Sequence, residues 1–327
     1  MNTFIFTCGD INGIGPELII KTLNRIHALP DKRFIVLIPY NVFELTAGIV
    51  RPEFNFAVTN NQKDLDKKDI MIYDLGKANQ VLGSVSKEAG KIAYSAIKTS
   101  FILLRRKYAN AVITAPISKT AIHKYGIKFP GHTEIYSEWC GVKDFVMMFL
   151  SAEMNAALLT IHVPIKNIPK LIKQKLLQST IVTIKNTFQS DFAVKDIRMA
   201  VLGLNPHAGE SGNIGYEEEK IIKPAIKKFS YCEGPFSPDA FFANKLYKNY
   251  DCVLGMYHDQ LLIPFKMLNF SSGVNYTAGL PIVRTSPDHG TAFDIAGKGI
   301  ADESSMLQAF RYADIIVNNR KRINDKG

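Results

Sequence analysis

Short β-like runs alternate with helix-like segments along the whole chain, and this alternation constrains the fold more than any other feature of the sequence. It is typical of an α/β fold whose sheets are largely parallel. The clearest helical stretch lies within residues 86–107, and the last helix is expected to begin near Ser304. The predicted strands are Thr3 to Thr7, Phe34 to Pro39, Ile70 to Tyr73, Ala111 to Thr114, Ala156 to Val163, Ile197 to Gly203, Asp251 to Met256 and Pro281 to Arg284.

The composition is that of an ordinary globular protein. The chain has 327 residues, of which 46% are hydrophobic and 21% charged, enough for a substantial core and two lobes. Its apolar runs are too short to span a bilayer and its start lacks a signal-peptide pattern, so we expect a cytoplasmic protein with no membrane contact. Four scattered cysteines without a CxxC pair fit a reducing compartment.

The formal net charge of +10 raises the question of a nucleic-acid partner. The lysines are dispersed over helix-like segments such as residues 168–185 and 217–228 rather than gathered in one patch. This pattern favours a solvated basic surface that attracts anionic substrates, and it predicts no nucleic-acid partner.

Two short segments that follow predicted strands carry only a weak signal when taken alone. Residues 9–17 (GDINGIGPE) have the glycines of a strand-to-helix turn and match neither GxGxxG nor the phosphate-loop pattern. Residues 114–119 (TAPISK) place polar groups at the end of a strand, where ligands often bind in parallel sheets. A helix cap and a surface lysine explain Ser118 and Lys119 equally well.

Histidines in polar settings are more informative. His162, His207 and His258 each lie at or just beyond the end of a predicted strand. If these strands converge, three imidazoles can bind a divalent metal and leave positions open for a substrate. The long separations, and the absence of an HExxH motif, leave open that each is a hydrogen-bonded histidine near a loop.

The last third of the chain holds further polar groups that could bind an anion or a cofactor. Lys266, Asn275 and Arg284 could hold a phosphate or carboxylate through a point charge, an amide and a guanidinium fork, although each alone is more often a surface contact. Residues 288–299 (DHGTAFDIAGKG) combine small residues with polar side chains that could approach a dinucleotide. A glycine-rich helix entry without a ligand explains that segment equally well.

The ordered motifs GDINGIGPE, TAPISK, PGHTE, NPHAGE, YHDQ, GVNYTAGLP and RTSPDHGTAFDIAGKGIAD together resemble those of the 4-hydroxythreonine-4-phosphate dehydrogenase family over nearly the whole chain. The last motif is also similar to the cofactor loop of isopropylmalate and isocitrate dehydrogenases. The resemblance implies two α/β/α lobes with an active-site cleft between them, as in isopropylmalate dehydrogenase, and a homodimer with the active site near the interface. The first lobe is expected at residues 1–120 and 285–327, and the second, with the metal and dimer contacts, at residues 121–284.

The resemblance also implies roles for individual residues. The metal ligands of the family fall on His162, His207 and His258. Its substrate-binding residues fall on His132, Thr133, Lys266, Asn275 and Arg284, and the cofactor-binding residues on His289, Gly290, Thr291 and Asp294. The expected acid–base residues are Asp239, Asp259 and Lys266. Ile11 and Asn12 replace a usual Pro-Ala pair, which puts the tuning of substrate preference in question.

The implied reaction is the metal-dependent oxidation of 4-phosphooxy-L-threonine by NAD, or by NADP. Loss of carbon dioxide then gives 3-amino-2-oxopropyl phosphate for pyridoxine 5'-phosphate (vitamin B6) biosynthesis. Zinc is the expected metal, with magnesium or cobalt as alternatives.

Three other functions stay open at this stage. The first is a paralogous dehydrogenase acting on a phosphorylated erythronate or threonate, or on a cyclic dihydrodiol acid. The second is a three-histidine metallohydrolase acting on a phosphate ester, against which the segment at residues 288–299 argues. The third is a non-catalytic protein that binds a phosphorylated metabolite, which the intact set of expected metal ligands disfavours.

Overall fold

The computed structural model describes residues 1–128, 131–269 and 272–325, which form two compact units. Unit 1 comprises Met1–Gly141 and Pro281–Val317, and unit 2 comprises Val142–Leu280 and Asn318–Gly327. Pro130, the first residue of the PGHTE motif, lies outside the described residues. The lobe boundaries expected after residues 120 and 284 stay a prediction.

Strands and helices follow one another along the chain, as the sequence pattern predicts. The strands are β1 (Asn2–Thr7), β2 (Lys32–Ile38), β3 (Ala57–Thr59), β4 (Ile70–Asp74), β5 (Ala111–Thr114), β6 (Val146–Leu150), β7 (Ala156–Leu158), β8 (Met199–Leu202), β9 (Cys232–Phe236), β10 (Cys252–Gly255), β11 (Val274–Ala278) and β12 (Val283–Pro287). The helices are α1 (Gly15–Ile26), α2 (Tyr40–Ala47), α3 (Lys87–Arg105), α4 (Lys119–Tyr125), α5 (His132–Cys140), α6 (Ile168–Leu171), α7 (Gln174–Asp191), α8 (Lys223–Ile226), α9 (Pro238–Ala243), α10 (His258–Asn269) and α11 (Ser304–Asn324). The α/β fold class is therefore confirmed.

The sheet of unit 1 has the strand order β3-β4-β2-β1-β5-β12, and its neighbouring strands run parallel. Both faces are covered, so β1 and β5 are buried along their whole length. Phe310 of α11 packs edge-on against Phe4 and Phe34, with ring centroids 5.0 and 5.7 Å apart. Strand order reverses at β1, because β2 lies on one side of it and β5 on the other. The carboxyl ends of β1 and β5 therefore flank a switch point, where parallel sheets commonly bind ligands.

The sheet of unit 2 has the order β11-β6-β7-β10-β8-β9. Strand β6 runs antiparallel to β7 and β11, whereas β7, β10, β8 and β9 run parallel to one another. Buried aromatic side chains such as Phe149, Phe241 and Phe265 belong to its core. The loops after β7, β10 and β8 therefore leave the sheet at the same edge.

The structure also corrects several details of the predicted elements. The strand expected over Ala156 to Val163 ends at Leu158, because the chain then turns, with the Val163 N–H donating to the Ile161 carbonyl at 2.7 Å. The strand expected over Pro281 to Arg284 lies later, at Val283–Pro287. Strands β3, β6, β9 and β11 were not predicted. The last helix does begin at Ser304.

Two expectations from composition can be compared with the structure. In the described part of the chain, no helix combines the length and the apolar character that crossing a membrane requires. All four cysteines are free thiols, and Cys8 and Cys252 are buried. Burial raises the pKa of the Cys232 thiol to about 12, which leaves this sulfur protonated and unreactive at neutral pH.

A buried ion pair fastens the end of α11 to α7 in unit 2. Arg320 donates from Nε and Nη2 to the two carboxylate oxygens of Asp191, at 2.6 and 3.0 Å, and Asp191 is only 1% exposed. Tyr276 of β11 donates its hydroxyl to the same carboxylate, and Asn319 donates to the Asp191 carbonyl at 2.9 Å. The bidentate pair gives both oxygens of the buried Asp191 carboxylate a hydrogen-bond donor. The Tyr276 hydroxyl also attaches β11 to this carboxylate, one residue after Asn275.

We expect Arg320→Met to lower the free energy of unfolding by about 3–5 kcal/mol, because it leaves the buried Asp191 carboxylate without its cation. The matched control is Arg198→Met, which removes an exposed pair with Glu233 (side chains 58% and 52% exposed). That loss should be below about 1 kcal/mol. Urea unfolding followed by circular dichroism measures both, and equal losses would contradict the prediction.

Candidate active site

Two of the expected metal-binding histidines meet in unit 2. His162 follows β7 and His258 begins α10 directly after β10, and these two strands are parallel neighbours. Their imidazole rings lie in contact, with centroids 5.9 Å apart. Parallel pairing thus brings together two side chains that are far apart in the sequence, as the sequence pattern requires.

Asp259 orients one ring of this pair. Its Oδ1 lies 2.6 Å from Nδ1 of His258. A carboxylate accepts, so Nδ1 carries the proton and Nε2 presents its lone pair on the other side of the ring. A carboxylate behind a histidine in this way is the usual support of a metal ligand.

A cavity of about 220 Å³ opens beside the two histidines. His162, His258 and Asp259 supply its polar wall, and Ile161 and Val163 belong to its apolar wall. Ile161 and Val163 belong to the stretch that was predicted to continue β7. Their apolar side chains line the cavity instead of packing in a strand. Such a mixture of apolar walls and a few polar groups is typical of a small-molecule site.

His207 lies on an unusual turn after β8. Residues 207–211 all have positive φ, with values of 52, 49, 79, 42 and 56°. This left-handed conformation costs roughly 1–2 kcal/mol for each residue other than glycine, and it persists only where the surroundings impose it. His207 itself is exposed at the surface of unit 2.

Glu218 is one residue that shapes this turn. Its buried Oε1 accepts the backbone N–H groups of Leu204 and Asn205 at 2.7 Å each, and its Oε2 accepts the Asn205 amide at 2.9 Å. A side chain at Gly209 would meet Glu218 Oε2 at 2.6 Å, so the turn fits closely around the carboxylate. Neither Glu218 nor Asn205 was predicted to support the site.

The three histidines suit a divalent metal by their chemistry, because imidazole nitrogen binds zinc, cobalt and similar ions. Among residues 1–128, 131–269 and 272–325, however, no group of three or more His, Cys, Asp or Glu side chains is placed to hold a metal. The structure therefore brings His162 and His258 together, while His207 lies on the turn after β8. The donor chemistry fits a metal, and the pair supplies two of its expected ligands.

In unit 1, Arg284 is a buried cation that is held by hydroxyl groups. It lies on β12, beside β5, and donates to the hydroxyl of Thr114 from Nε at 3.1 Å and from Nη2 at 2.8 Å. Nη2 also donates to Ser286 at 2.8 Å, and Nη1 lies 3.5 Å from the Thr133 hydroxyl. The guanidinium fork expected to grip an anion is thus engaged by Thr114 on its Nε–Nη2 side. Burial lowers the pKa of Arg284 to about 10, so it stays cationic at neutral pH.

His132 stands beside this cation at the start of α5. It is 9% exposed, and its Nε2 has no hydrogen-bond partner among the described residues. Burial lowers its pKa well below the usual value, and the charges of Arg284 and Lys119 add to this effect. The ring is therefore neutral at pH 7. A buried polar atom without a partner is rare, and it points to a ligand as the missing partner.

The other expected substrate and acid–base residues are distributed over unit 2. Lys266 is exposed on α10, eight positions after His258 and so about 12 Å further along the helix axis. Asn275 is half-buried in β11, paired with Phe149. Asp239 is the second residue of α9, where a hydrogen bond from Ser237 and then the Ala240 N–H lower its pKa, with a smaller contribution from His207. It is therefore a carboxylate at neutral pH.

The expected cofactor residues lie on one loop of unit 1, directly after β12. His289 and Thr291 are half-buried, and Gly290 and Asp294 are exposed. A side chain at Gly290 would meet nothing within 4 Å, so the backbone borders open space. Exposed backbone and a carboxylate next to a strand end fit the pyrophosphate and ribose of a dinucleotide.

The start of the chain holds this loop in place. Glu17 accepts the Ala301 N–H at 2.8 Å and pairs with Lys21 at 3.1 Å, and the ammonium of Lys21 donates to the Gly299 and Ala301 carbonyls at 2.9 and 2.6 Å. The Ile14 N–H donates to the Thr291 carbonyl at 3.0 Å. The segment at residues 9–17 is therefore a strand-to-helix turn that also supports the expected cofactor loop.

A family model matches most of this chain. Residues 31–313 match the model described as pyridoxal phosphate biosynthetic protein PdxA. The chain belongs to the PdxA family. The family predicted from the motifs is thus confirmed, as is the assignment of the chain as an enzyme.

Individual PdxA relatives cover almost the full length of the chain. A 4-hydroxythreonine-4-phosphate dehydrogenase of Sulfurihydrogenibium sp. (strain YO3AOP1) is 38% identical over 96% of this chain and 98% of its own length. A D-threonate 4-phosphate dehydrogenase of Cupriavidus necator is 37% identical over 96% of this chain and 97% of its own. The crystal structure of the 4-hydroxythreonine-4-phosphate dehydrogenase from Klebsiella pneumoniae is 32% identical, with a TM-score of 0.83 over 97% of this chain and 100% of that one.

Asn12 is a residue by which this PdxA chain departs from the expected motif. It is fully buried; its Oδ1 accepts the Val81 N–H at 2.8 Å, and its Nδ2 donates to the Ser84 carbonyl at 2.9 Å and the Ser86 hydroxyl at 3.2 Å. Leu82 of the segment that it anchors lies against Gly297, where an added Cβ would come within 2.3 Å of a Leu82 methyl. Asn12 therefore links three separate segments of unit 1.

Asp10 is a buried carboxyl that was not predicted to matter. Its Oδ1 accepts the Asn12 N–H at 3.0 Å, and its Oδ2 has no hydrogen-bond partner in the described part of the chain. Burial raises its pKa from 3.8 to about 6, against the lowering effect of the Asn12 N–H. Between pH 3.8 and about 6, Asp10 is therefore protonated in the folded protein, whereas the same carboxyl is ionised in the unfolded chain.

We expect the stability of the protein to fall as the pH rises from 4 to 6, in so far as Asp10 contributes, because its ionised form is disfavoured only in the folded state. Asp10→Asn mimics the protonated acid. Between pH 4 and 7.5 the variant should gain about 2.4 kcal/mol relative to the wild type, for a pKa raised from 3.8 to about 6.

Urea unfolding at a series of pH values checks this prediction. Asp66→Asn, which changes an exposed carboxyl, is the control and should show a nearly constant difference from the wild type. A constant difference for Asp10→Asn as well would rule out the raised pKa.

Proposed function

We propose that the chain is an NAD- and metal-dependent dehydrogenase that oxidises the C3 hydroxyl of 4-phosphooxy-L-threonine and releases carbon dioxide. The observation that carries this proposal is the buried Nε2 of His132, which has no hydrogen-bond partner within residues 1–128, 131–269 and 272–325 and stands beside the Arg284 cation. Such a buried, positively charged site suits an anionic group of the substrate. Relatives named for 4-phosphorylated hydroxy acids support the same substrate class.

The chemistry follows from the position of the hydroxyl. Oxidation removes a hydride from C3 and the proton from its oxygen, which gives a ketone β to the carboxylate. The C1–C2 bond then breaks, its electron pair moves toward the C3 oxygen, and C2 takes up a proton to give 3-amino-2-oxopropyl phosphate. A bound divalent metal supplies Lewis acidity at that oxygen, and a bound nicotinamide, NAD or NADP, accepts the hydride.

The residues of this chain hold and orient the reactants. Arg284, His132 and Thr133 bind an anionic end of the substrate, and Lys266 and Asn275 bind its other polar groups. The metal would be held by His162, His207 and His258, with zinc the first choice and magnesium or cobalt as alternatives.

Two carboxylates have different tasks in this proposal. Asp259 keeps the proton of His258 on Nδ1 and so turns Nε2 toward the site. Asp239 is ionised and can therefore accept the hydroxyl proton, which a carboxylic acid could not. The cofactor contacts are assigned to His289, Gly290, Thr291 and Asp294, whose loop has exposed backbone and an exposed carboxylate.

D-threonate 4-phosphate is the second candidate substrate, since the Cupriavidus relative named for it is 37% identical. It carries the same phosphate and the same C3 hydroxyl, and it differs at C2, where a hydroxyl replaces the amine. The anion-binding residues of unit 1 suit both compounds, so the group that contacts C2 decides the preference.

We also propose a cytoplasmic homodimer. Ile263 and Met267 lie one turn apart on α10 and are 60% and 82% exposed, as expected of a helix face that packs against a second copy. Free thiols suit a reducing compartment. Light scattering should give twice the chain mass of 36.5 kDa, and a monomer mass would contradict the dimer.

Absorbance of NADH tests the reaction. Metal-loaded protein is mixed with 4-phosphooxy-L-threonine or D-threonate 4-phosphate and with NAD or NADP, beside an EDTA-treated sample. A metal-dependent signal with the first substrate supports the proposal, and a signal with the second alone supports the paralogue. Protein that binds neither nucleotide would overturn the dehydrogenase assignment.

Removal of the carboxylate behind His258 tests the metal assignment. Asp259→Asn should weaken the affinity for Zn²⁺ about 10- to 100-fold, because an amide oxygen accepts the Nδ1–H hydrogen bond less strongly than a carboxylate does. Isothermal titration with Zn²⁺ measures this, and Asp196→Asn, an exposed carboxyl elsewhere in unit 2, is the control. Unchanged affinity in Asp259→Asn would contradict the role given to the His258–Asp259 contact.

A further inference from the structure

Thr114, the last residue of β5, contacts two nitrogens of the Arg284 guanidinium. Its buried hydroxyl oxygen accepts from Nε at 3.1 Å and from Nη2 at 2.8 Å, so that one oxygen takes up the Nε–Nη2 side of the guanidinium. The hydroxyl proton points elsewhere, to the Thr285 carbonyl at 3.4 Å. The lone pairs of Thr114 are thereby turned toward Arg284.

Ser286 adds a second fixed point. It lies on the same strand as Arg284, two residues later, and its hydroxyl accepts from Nη2 at 2.8 Å. Hydroxyls from β5 and β12, which are parallel neighbours, therefore hold the same nitrogen. A planar group held through Nε and twice through Nη2 cannot rotate about its terminal bonds without losing hydrogen bonds.

The choice of hydroxyls has an electrostatic consequence. A hydroxyl accepts a hydrogen bond without cancelling the charge of the donor, whereas a carboxylate at the same place would neutralise it. Thr114 and Ser286 thus orient Arg284 without placing a negative charge on it. Burial lowers the pKa of Arg284, and the charge of Glu134, which also acts on the guanidinium, raises it. The neutral state of His132 keeps a second full positive charge out of the same buried space.

We propose that Thr114 and Ser286 are positioning residues, which fix the guanidinium plane of Arg284 so that its Nη1 side faces Thr133 and the bound anionic group of the substrate. This inference rests on the proposed function, in which Arg284 and Thr133 bind that group. It adds two residues that would not contact the substrate. It also gives a role to the TAPISK segment, whose sequence signal is weak, because its first residue, Thr114, orients Arg284.

Substitutions that remove only the hydroxyl test the inference. Thr114→Val keeps the shape of the side chain and removes the acceptor, and Thr114→Ser restores it. We expect Thr114→Val to raise KM for the phosphorylated substrate about 10- to 100-fold, since a buried donor loses its acceptor. The value of kcat should change much less, because binding is weakened alike in ground and transition states. Ser286→Ala should act in the same direction.

A direct readout of the arginine complements the kinetics. In the ¹⁵N spectrum, the Nε–H of Arg284 should exchange slowly with solvent in the wild type and in Thr114→Ser, and faster in Thr114→Val. Inorganic phosphate, titrated calorimetrically, should bind more weakly to Thr114→Val than to Thr114→Ser. A role in folding alone would shift the unfolding midpoint and leave these two measurements unchanged.

Arg284→Met distinguishes the proposed anion site from the proposed positioning role of Thr114 and Ser286. If this variant binds phosphate and substrate as the wild type does, the proposed anion site is wrong, and the positioning role is wrong with it. If Arg284→Met loses binding while Thr114→Val and Ser286→Ala keep wild-type KM and a protected Nε–H, only the positioning role is overturned. If Thr114→Val does not fold, Ser286→Ala decides, because it removes the other hydroxyl that holds Nη2.

Discussion

Parallel pairing of strands is the constraint on which both groups of proposed functional residues depend. A parallel sheet sends the carboxyl ends of its strands to one edge, whatever the distance between them in the sequence. In unit 2, the pairing of β7 with β10 brings His162 and His258 into ring contact. In unit 1, the pairing of β5 with β12 brings Thr114 to Arg284 across 170 positions of sequence. Local structure alone would leave each of these side chains as an unremarkable loop or strand residue.

The two buried arginines show how the surroundings decide what a charge can do. Arg320 forms a bidentate pair with the carboxylate of Asp191. Its charge is neutralised within the protein, and the contact stabilises the fold. Arg284 meets neutral hydroxyls at Nε and Nη2, and a hydroxyl accepts a hydrogen bond without bringing a negative charge to the guanidinium. The same side chain thus stabilises the fold in unit 2 and, in the proposed function, binds the substrate in unit 1; the two arginines differ in the acceptors that they meet.

The sequence predicted the elements that are set by local pattern. Helix α3 and the start of α11 follow from helical periodicity and capping, with the Ser86 hydroxyl accepting the Ala89 N–H at 3.0 Å. Strand β7 was predicted too long because the whole apolar run was interpreted as a strand. Ile161 and Val163 in that run line a cavity instead. The supporting roles of Asn12, Glu218 and Thr114 could not be predicted, because each depends on a partner that only the tertiary structure supplies.

The discontinuous make-up of unit 1 matters during protein synthesis. Its first part, Met1–Gly141, leaves the ribosome long before Pro281–Val317, which contains β12. At ribosomal speed the 170 residues between Thr114 and Arg284 take roughly 10 to 30 s to make. For that time the edge of β5 lacks the strand that will cover it, and the nascent chain carries an open sheet edge. Translation order therefore makes the surroundings of Arg284 one of the last parts of the protein to form. His162 and His258 have already been synthesised by then.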